Sequence, residues 1–379
     1  MKYCKECLQV DTRPGTVFSQ EGICPACSYF STLVKADWGQ RKDELAQLAS
    51  FGRASNRDGH DCIIGVSGGK DSLRQSLFVK EVLGMNPLLV CLSYPPEQVT
   101  QRGVDNLSNL INHGFDCVSI SPAPGIWRDL MRKSFLEHTN WCKSTELALF
   151  SSVPRLAVAH QIPLIWWGEN GALQLGDVNI MGKNGWDGNN LRKMDTLAGG
   201  DYSSLLSDEI KTNDILQYLY PSEAEMDRAG LQIVFLGYFW RIWSLRSNGA
   251  YGVLHGLDVR DEKPWEIGDP TGVTALDEDW VTLNQMIKYL KYGFGRVADY
   301  VNEDIRNKRI TREQGIILLK KYDGKCSSKY IESFANFIGI SITDFWEQVD
   351  KSVNRDLFFK TNQGEYHPRF EVGVGLDLS

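Results

Sequence analysis

The sequence has no apolar run that approaches the roughly 18 residues of a membrane-spanning helix. Its first five residues show no apolar core like that of a secretory signal. An excess of positive charge is also missing, since 41 Lys and Arg stand against 48 Asp and Glu for a net charge of −7. This balance argues against the broad basic surface of a general nucleic-acid-binding protein. We therefore expect a cytoplasmic chain without a membrane partner, and we disfavour a nucleic-acid partner.

Histidine is scarce, and none of the six His residues supports a catalytic or metal assignment. The nine Cys residues are an odd number in a chain expected to be cytosolic, which favours free thiols and metal ligands over disulfides. Four of them form two C-x-x-C pairs, Cys4 with Cys7 and Cys24 with Cys27. Each pair can hold one edge of a zinc tetrahedron, and two pairs leave no open position for catalysis. We predict a structural zinc site in a ribbon-like segment over residues 1–35.

A glycine-rich turn links an apolar segment to an amphipathic one. Residues 61–67 are typical of a short buried strand, the sequence SGGKDS (67–72) follows, and residues 73–83 predict a helix. Backbone N–H groups of such a turn can surround phosphate oxygens, and the helix N-terminus adds partial positive charge. Ser67 and Ser72 can donate hydroxyl hydrogen bonds, Lys70 can neutralise phosphate charge, and Asp71 can hold Mg²⁺. The spacing differs from a Walker A motif. It resembles the pyrophosphate loop of the PP-loop ATPases, which transfer AMP from ATP to a carbonyl-type oxygen.

Strand and helix patterns alternate after this loop, which predicts an α/β fold. Further strands are expected over 87–94, 115–120, 162–167 and 231–237, and helices over 99–113, 125–137 and 145–160. Ligands in parallel sheets bind at the carboxyl ends of strands, and the resemblance implies that adenine lies near the second strand. The predicted ATP- and pyrophosphate-binding residues are Ser67, Gly68, Gly69, Lys70, Asp71, Ser72, Leu92, Ser93, Gly168, Glu169 and Asn170. We expect this PP-loop domain over residues 55–260.

The C-terminal half carries a local basic segment. Residues 285–330 contain eleven Lys and Arg against five Asp and Glu, including the run KYGFGR (291–296). A solvated helix face would explain this excess, but so would a polyanionic ligand such as the pyrophosphate released from ATP. We therefore name Lys291 and Arg296, together with Lys70 and Asp71, as catalytic candidates. Residues 261–379 are expected to form a mainly helical region that completes the site, and residues 171–200, rich in Gly and Asn, are interpreted as a lid.

The cysteine ribbon, SGGKDS, WWGEN (166–170), KYGFGR, Asp304–Arg306 and Thr311–Glu313 together resemble the N-acetyl sugar amidotransferases. This is the WbpG/PseA/LegA-like group of surface-polysaccharide biosynthesis, and the resemblance covers roughly residues 1–340. Around residues 238–252 the family is expected to have a more acidic segment, and Arg241 and Arg246 of this chain depart from that pattern. The resemblance implies ATP-dependent conversion of an acetamido group on a nucleotide-linked sugar to an acetamidino group, through an O-adenylyl intermediate, with release of AMP and pyrophosphate.

The ammonia for this reaction is expected from partners. The chain has neither an N-terminal Cys nucleophile nor a G-x-C-x-G motif. We therefore expect no glutaminase activity in this chain. The resemblance implies a separate glutaminase and an ammonia-channel subunit similar to the histidine-biosynthesis pair. One alternative is a PP-loop tRNA-modifying enzyme of the thiolating or lysidine type, for which Cys142 or Cys326 would be the reactive thiol. Another is a zinc-ribbon scaffold protein with a degenerate ATP site.

Overall fold

The computed structural model describes residues 1–56, 59–169, 171, 182, 184–194 and 197–376. Its strands are β1 (Cys62–Val66), β2 (Pro87–Leu92), β3 (Asp116–Ile120), β4 (Leu164–Trp167), β5 (Gln232–Phe235), β6 (Phe358–Lys360) and β7 (Tyr366–Pro368). Its α-helices are α1 (Pro25–Thr32), α2 (Trp38–Ser55), α3 (Lys70–Leu77), α4 (Gln101–Asn112), α5 (Pro124–His138), α6 (Cys142–His160), α7 (Glu223–Arg228), α8 (Leu245–Leu254), α9 (Pro264–Ile267), α10 (Val281–Tyr292), α11 (Arg296–Arg306), α12 (Arg312–Tyr322), α13 (Ser328–Ile338) and α14 (Ile342–Ser352).

Shorter helical turns connect these elements. A π-helical turn at Phe78–Val82 continues α3, so the helix predicted over 73–83 begins three residues earlier and ends in a wider turn. The 3₁₀ turns are Leu33–Lys35, Asn189–Lys193, Ala198–Gly200, Ser203–Leu205, Thr212–Tyr218 and Leu236–Phe239. Among the described residues, no helix combines the length and apolarity needed to cross a bilayer.

Five parallel strands form the central sheet in the order β3-β2-β1-β4-β5. The chain moves outward from β1 through β2 to β3 and then returns to place β4 on the other side of β1. The strand order therefore reverses between β1 and β4. Crevices at such a reversal, outside the carboxyl ends of the strands, are where ligands bind in open α/β sheets. The predicted α/β class with a parallel sheet is confirmed.

Side chains of the sheet alternate between two apolar layers, as the period of two along a strand requires. Ile63, Val90 and Ile165 belong to the larger core, which also contains residues of α5, α6 and the C-terminal helices. Ile64 and Trp166 belong to the second core, against α2 and α3. Both faces of the sheet are therefore covered, which explains why β1 and β2 are almost entirely buried.

The C-terminal region packs onto the layer of α5 rather than standing apart from it. Phe135 of α5 stacks on Phe345 of α14 with ring centroids 5.1 Å apart, and Phe334 of α13 meets Phe135 edge-on at 5.4 Å. Helices α9 to α14 all lie within residues 261–379, which were expected to be mainly helical. The antiparallel pair β6–β7 follows them and was not predicted. This shared core brings α10 and α11 beside the carboxyl ends of the strands.

Candidate active site

The glycine turn predicted to hold phosphate joins β1 directly to α3. Gly68 has φ +79°, and a Cβ atom on it would lie 2.7 Å from the backbone nitrogen of Leu107. Only glycine meets both conditions, because other residues are strained at positive φ and would clash with α4. Gly69 is the N-cap of α3, and its carbonyl accepts from the Leu73 N–H at 3.0 Å. The turn thus exposes the first backbone N–H groups of α3 at the end of β1.

Asp71 lies in the first turn of α3 and is held from both sides. Lys70 Nζ donates to Asp71 Oδ2 at 2.7 Å, and Asn248 Nδ2 donates to Asp71 Oδ1 at 2.6 Å. Asn248, on α8, is fully buried. Its own Oδ1 accepts from Arg74 Nη1 at 2.6 Å. These contacts fix the direction of the Asp71 carboxylate before any ligand is present.

A first cavity of about 240 Å³ opens between the ends of β1, β2 and β4. Of the predicted nucleotide-binding residues, those that line it are Ser67, Asp71, Ser72, Leu92, Gly168 and Glu169. Gly168 allows close approach, since a Cβ atom there would lie 2.8 Å from Gln75 Oε1. The Ser93 backbone N–H donates to the carbonyl of Ile120, and Ser93 is not among the cavity-lining residues. Asn170 lies outside the described residues.

Several polar residues of this first cavity were not predicted from the sequence, among them Tyr94 and Asp277. Tyr94 lies just beyond β2, and Asp277 enters from the C-terminal region. Desolvation raises the pKa of Asp277 to about 6. No motif marks Asp277, because it reaches the cavity from a segment more than two hundred residues after the SGGKDS loop.

A second cavity of about 290 Å³ adjoins the first, and Asp71 and Glu169 line both. Its other walls come from Lys70 and from α10 and α11. The α11 residues that line it are Arg296, Asp299, Tyr300 and Glu303. These positions follow the i, i+3, i+4, i+7 spacing of one helical face. That polar periodicity was present in the sequence and could have identified the face, although only Arg296 was predicted.

Arg296 and Lys291 were predicted as a pair, but the structure separates them. Arg296 is the first residue of α11 and lines the second cavity with Lys70 and Asp71. Lys291 instead donates to the carbonyls of His138 and Thr139, at 2.6 and 3.2 Å. A cation at these last carbonyls of α5 is stabilised by the helix dipole. The structure therefore does not bring Lys291 to the loop, because the KYGFGR turn points its two cations in different directions.

The four N-terminal cysteines converge as their spacing predicted. Their Sγ atoms all lie within 4.8 Å of one another, and all four residues are buried. The described residues contain no other such group of three or more His, Cys, Asp or Glu side chains. The cluster could bind a metal such as zinc, which favours four thiolates in a tetrahedron.

This cysteine cluster packs against α11, the helix that lines the second cavity. Asn302 accepts from the Leu8 backbone N–H at 2.7 Å and donates to Gln9 Oε1 at 3.2 Å. Arg306 Nη1 lies 4.0 Å from Cys7 Sγ. Asn302 and Arg306 therefore attach α11 to the ribbon, while its Arg296–Glu303 face looks into the second cavity.

Two further features of the sequence are the predicted lid and Arg246, one of the two unexpected arginines. Of the predicted lid over residues 171–200, residues 172–181, 183, 195 and 196 lie outside the described part of the chain, so the lid stays a prediction. Arg246 forms an ion pair with Asp304 at 2.8 Å, and Arg309 contacts the same carboxylate at 3.2 Å. Part of the Asp304–Arg306 motif thus serves packing between α8 and α11.

Comparison with known proteins identifies the C-terminal region. Residues 273–372 match the family model of the C-terminal domain of WbpG-like LPS biosynthesis proteins. This match contains α10 and α11, which line part of the second cavity, and α11 also contacts the cysteine ribbon. No curated protein matches the chain. Residues 273–372 are therefore similar to the C-terminal domain of WbpG-like LPS biosynthesis proteins, in agreement with the resemblance noted in the sequence.

Proposed function

We propose that this protein is an ATP-dependent, AMP-forming amidotransferase that converts an acetamido group of a nucleotide-linked sugar to an acetamidino group. The supporting observation is the pair of adjoining cavities that share Asp71 and Glu169 at the SGGKDS loop. A nucleotide in the first cavity would present its phosphates to an acceptor in the second. Lys70 would bridge the two compartments.

The chemistry explains why two adjoining compartments are needed. An amide carbonyl is a poor electrophile, and its oxygen is a poor leaving group. Attack of that oxygen on the α-phosphate releases pyrophosphate and forms an O-adenylyl imidate, and ammonia then adds at carbon and expels AMP. In this scheme Lys70 and Arg296 stabilise the charge of the departing pyrophosphate, and the loop N–H groups orient the phosphates.

Two metals fit the residues present. Four buried thiols suit a structural Zn²⁺, which contributes to folding and leaves no open coordination position. Asp71 suits Mg²⁺, because a carboxylate beside a phosphate site is the usual magnesium environment. When bound, Mg²⁺ would neutralise phosphate charge. Since Lys70 already contacts Asp71 Oδ2, Lys70 would turn from Asp71 towards the phosphates as the ion binds.

The experiment that tests this function uses the purified chain with ATP, Mg²⁺, ammonium chloride and a set of UDP-linked diacetamido sugars. We expect a product whose mass falls by the difference between O and NH, together with AMP and pyrophosphate. α-³²P- and γ-³²P-labelled ATP distinguish this cleavage from the formation of ADP and orthophosphate. ADP formation, or sugar left unchanged under all conditions, would overturn the proposal.

We further propose that ammonia comes from a separate glutaminase through a channel subunit. Ammonium should then support turnover by the purified chain, while glutamine should not. Turnover of the pure chain with glutamine would contradict this part of the proposal alone, without affecting the ATP chemistry.

The tRNA-thiolation alternative is disfavoured by the two thiols on which it depended. Desolvation raises the pKa of the Cys326 thiol to about 12 and that of Cys142 well above its usual value. A sulfur-transfer enzyme needs the opposite shift, because the thiolate is the nucleophile. The scaffold alternative would require a damaged loop, whereas Gly68, Lys70 and Asp71 are all in place.

A further inference from the structure

The second cavity contains a buried carboxylate that the proposed adenylation step does not use. Glu303 is 7 % exposed. Its Oε2 atom accepts from the Leu245 backbone N–H at 3.0 Å, and its Oε1 atom has no hydrogen-bond partner among the described residues. A buried carboxylate oxygen without a partner is costly. Glu303 lines the second cavity, so a ligand there could supply the missing donor.

A second unpaired acceptor lies in the same cavity. Gln285 Oε1, on α10, is buried and has no hydrogen-bond partner among the described residues. The cavity therefore contains two oxygen acceptors, Glu303 Oε1 and Gln285 Oε1, beside the cations Lys70 and Arg296. Acceptors next to cations suit a ligand that carries N–H donors at one end and an anionic phosphate at the other. An adenylated amide attacked by ammonia has both features.

We propose that Glu303 is the general base that takes a proton from the incoming nitrogen in the second cavity, and that Gln285 accepts a hydrogen bond from the same nitrogen. This inference rests on the proposed function. Ammonia forms a C–N bond to the imidate carbon and becomes an ammonium group of a tetrahedral adduct. The π pair of the imidate C=N bond moves onto the imidate nitrogen, which keeps the proton of the original amide. One N–H bond then breaks, the proton passes to Glu303 Oε1, and the electron pair stays on nitrogen. That pair forms the new C=N bond as the C–O bond breaks, and AMP leaves with the C–O electrons.

The surroundings of Glu303 suit a base that works near neutral pH. The pKa of Glu303 is raised to about 7, chiefly by burial and also by the negative charge of Asp71. The Leu245 N–H and the cations Arg306 and Arg309 act in the opposite direction. Lys70, Arg296, Glu169 and Asp299 are the other charged side chains that line the same cavity. A proton acceptor is most effective when its pKa is close to the working pH.

The test separates the two half-reactions with Glu303→Gln. Glutamine keeps the size of the side chain and can still accept from the Leu245 N–H, but it cannot take the proton. We expect sugar-dependent pyrophosphate release in the absence of ammonium to be retained. We expect amidine formation with ammonium to fall by about 10²-fold or more. At a constant concentration of free ammonia, wild-type amidine formation should decline below a pH of about 7, and the rate of the variant should not show this decline.

Further variants keep the test decisive. Glu303→Asp should recover part of the amidination rate together with the pH limb, and exposed Glu332→Gln on α13 should behave as wild type. Hydroxylamine is unprotonated at neutral pH and loses its proton more readily after addition, so it should narrow the gap between Glu303→Gln and wild type. Equal amidination rates and pH profiles in Glu303→Gln and wild type would overturn this inference. So would a parallel loss of both half-reactions. Absence of amidine from the wild-type protein would instead contradict the proposed function itself.

Discussion

The cysteine cluster and the second cavity lie on two sides of the same helix, α11. They differ in how their buried polar atoms are arranged. In the cluster, four buried Sγ atoms converge on one point, so a single ion would satisfy all of them. In the second cavity, Glu303 Oε1 and Gln285 Oε1 have no hydrogen-bond partner within the described part of the chain. The first arrangement is closed and suits a structural role. The second is open and suits a ligand that comes and goes.

The cysteine cluster and the second cavity are also connected through α11. Asn302 and Arg306 contact the ribbon, and Arg296 and Glu303 face the cavity from the same helix. Arg13 of the ribbon contacts Asp299, which Lys288 of α10 also contacts at 3.2 Å. The ribbon therefore acts as a support for the wall of the candidate active site. Substitutions in each region can show whether the closed cysteine cluster and the open second cavity depend on each other.

The largest effect is expected from metal removal. Replacing Cys4 and Cys24 with Ser should abolish stoichiometric zinc binding, because two of four thiolates are lost. Zinc coordination is worth about 10 kcal/mol or more in isolated structural sites, so the thermal midpoint should fall steeply. Pyrophosphate release should fall with it as α11 loses its support. Calorimetry and metal analysis measure the first two effects. Cys117→Ser on the edge strand is the control, and unchanged activity of a zinc-free chain would show that the regions are independent.

The next effect concerns the loop itself. Asp71→Asn should reduce sugar-dependent pyrophosphate release by about 10²- to 10³-fold, the scale for losing one pre-organised charged group. Zinc content and thermal midpoint should stay near wild type, since the ribbon is untouched. The exposed Asp43→Asn on α2 is the matched control. Activity within a few-fold of wild type would remove Asp71 from the proposed chemistry.

A smaller effect is expected where the backbone of the loop is tightest. Gly68→Ala adds a Cβ atom 2.7 Å from the Leu107 nitrogen at φ +79°, which should cost about 3 kcal/mol or more in unfolding free energy. Gly84→Ala has φ +62° but no atom within 4 Å, so it should lose only about 1–2 kcal/mol. Urea denaturation measures both values. Equal losses would mean that the approach of α4 to the loop is not limiting.

The smallest effect is predicted for the residue that orients Asp71. Asn248→Ala removes hydrogen bonds to Asp71 and Arg74, a loss of about 1–2 kcal/mol. We expect the rate of pyrophosphate release to fall about 10-fold while the cysteine cluster keeps its metal. Steady-state kinetics at several Mg²⁺ concentrations measures this. A wild-type rate and Mg²⁺ dependence would show that Lys70 alone positions the carboxylate.

Elements with a strong local signal were predictable. The strands β1, β2, β3, β4 and β5 were expected from short apolar runs, and the helices α3 to α6 from amphipathic spacing, because burial on both sheet faces imposes those patterns. The missed β6–β7 hairpin has only three residues in each strand, and so short a strand leaves little periodicity. Lys291 was misplaced for another reason: charge content along a segment says nothing about which way each side chain points.

Features that depend on close neighbours in the chain can be predicted from local sequence. C-x-x-C spacing places two thiols on one turn, and SGGKDS places N–H groups, Lys70 and Asp71 at one helix start. Which distant groups face these residues follows only from the three-dimensional packing. Asn248 meets Asp71 across 177 positions, and Glu303 enters the second cavity because α11 is anchored on its other side by the ribbon. Such contacts follow from the packing of whole elements, and no local pattern encodes them.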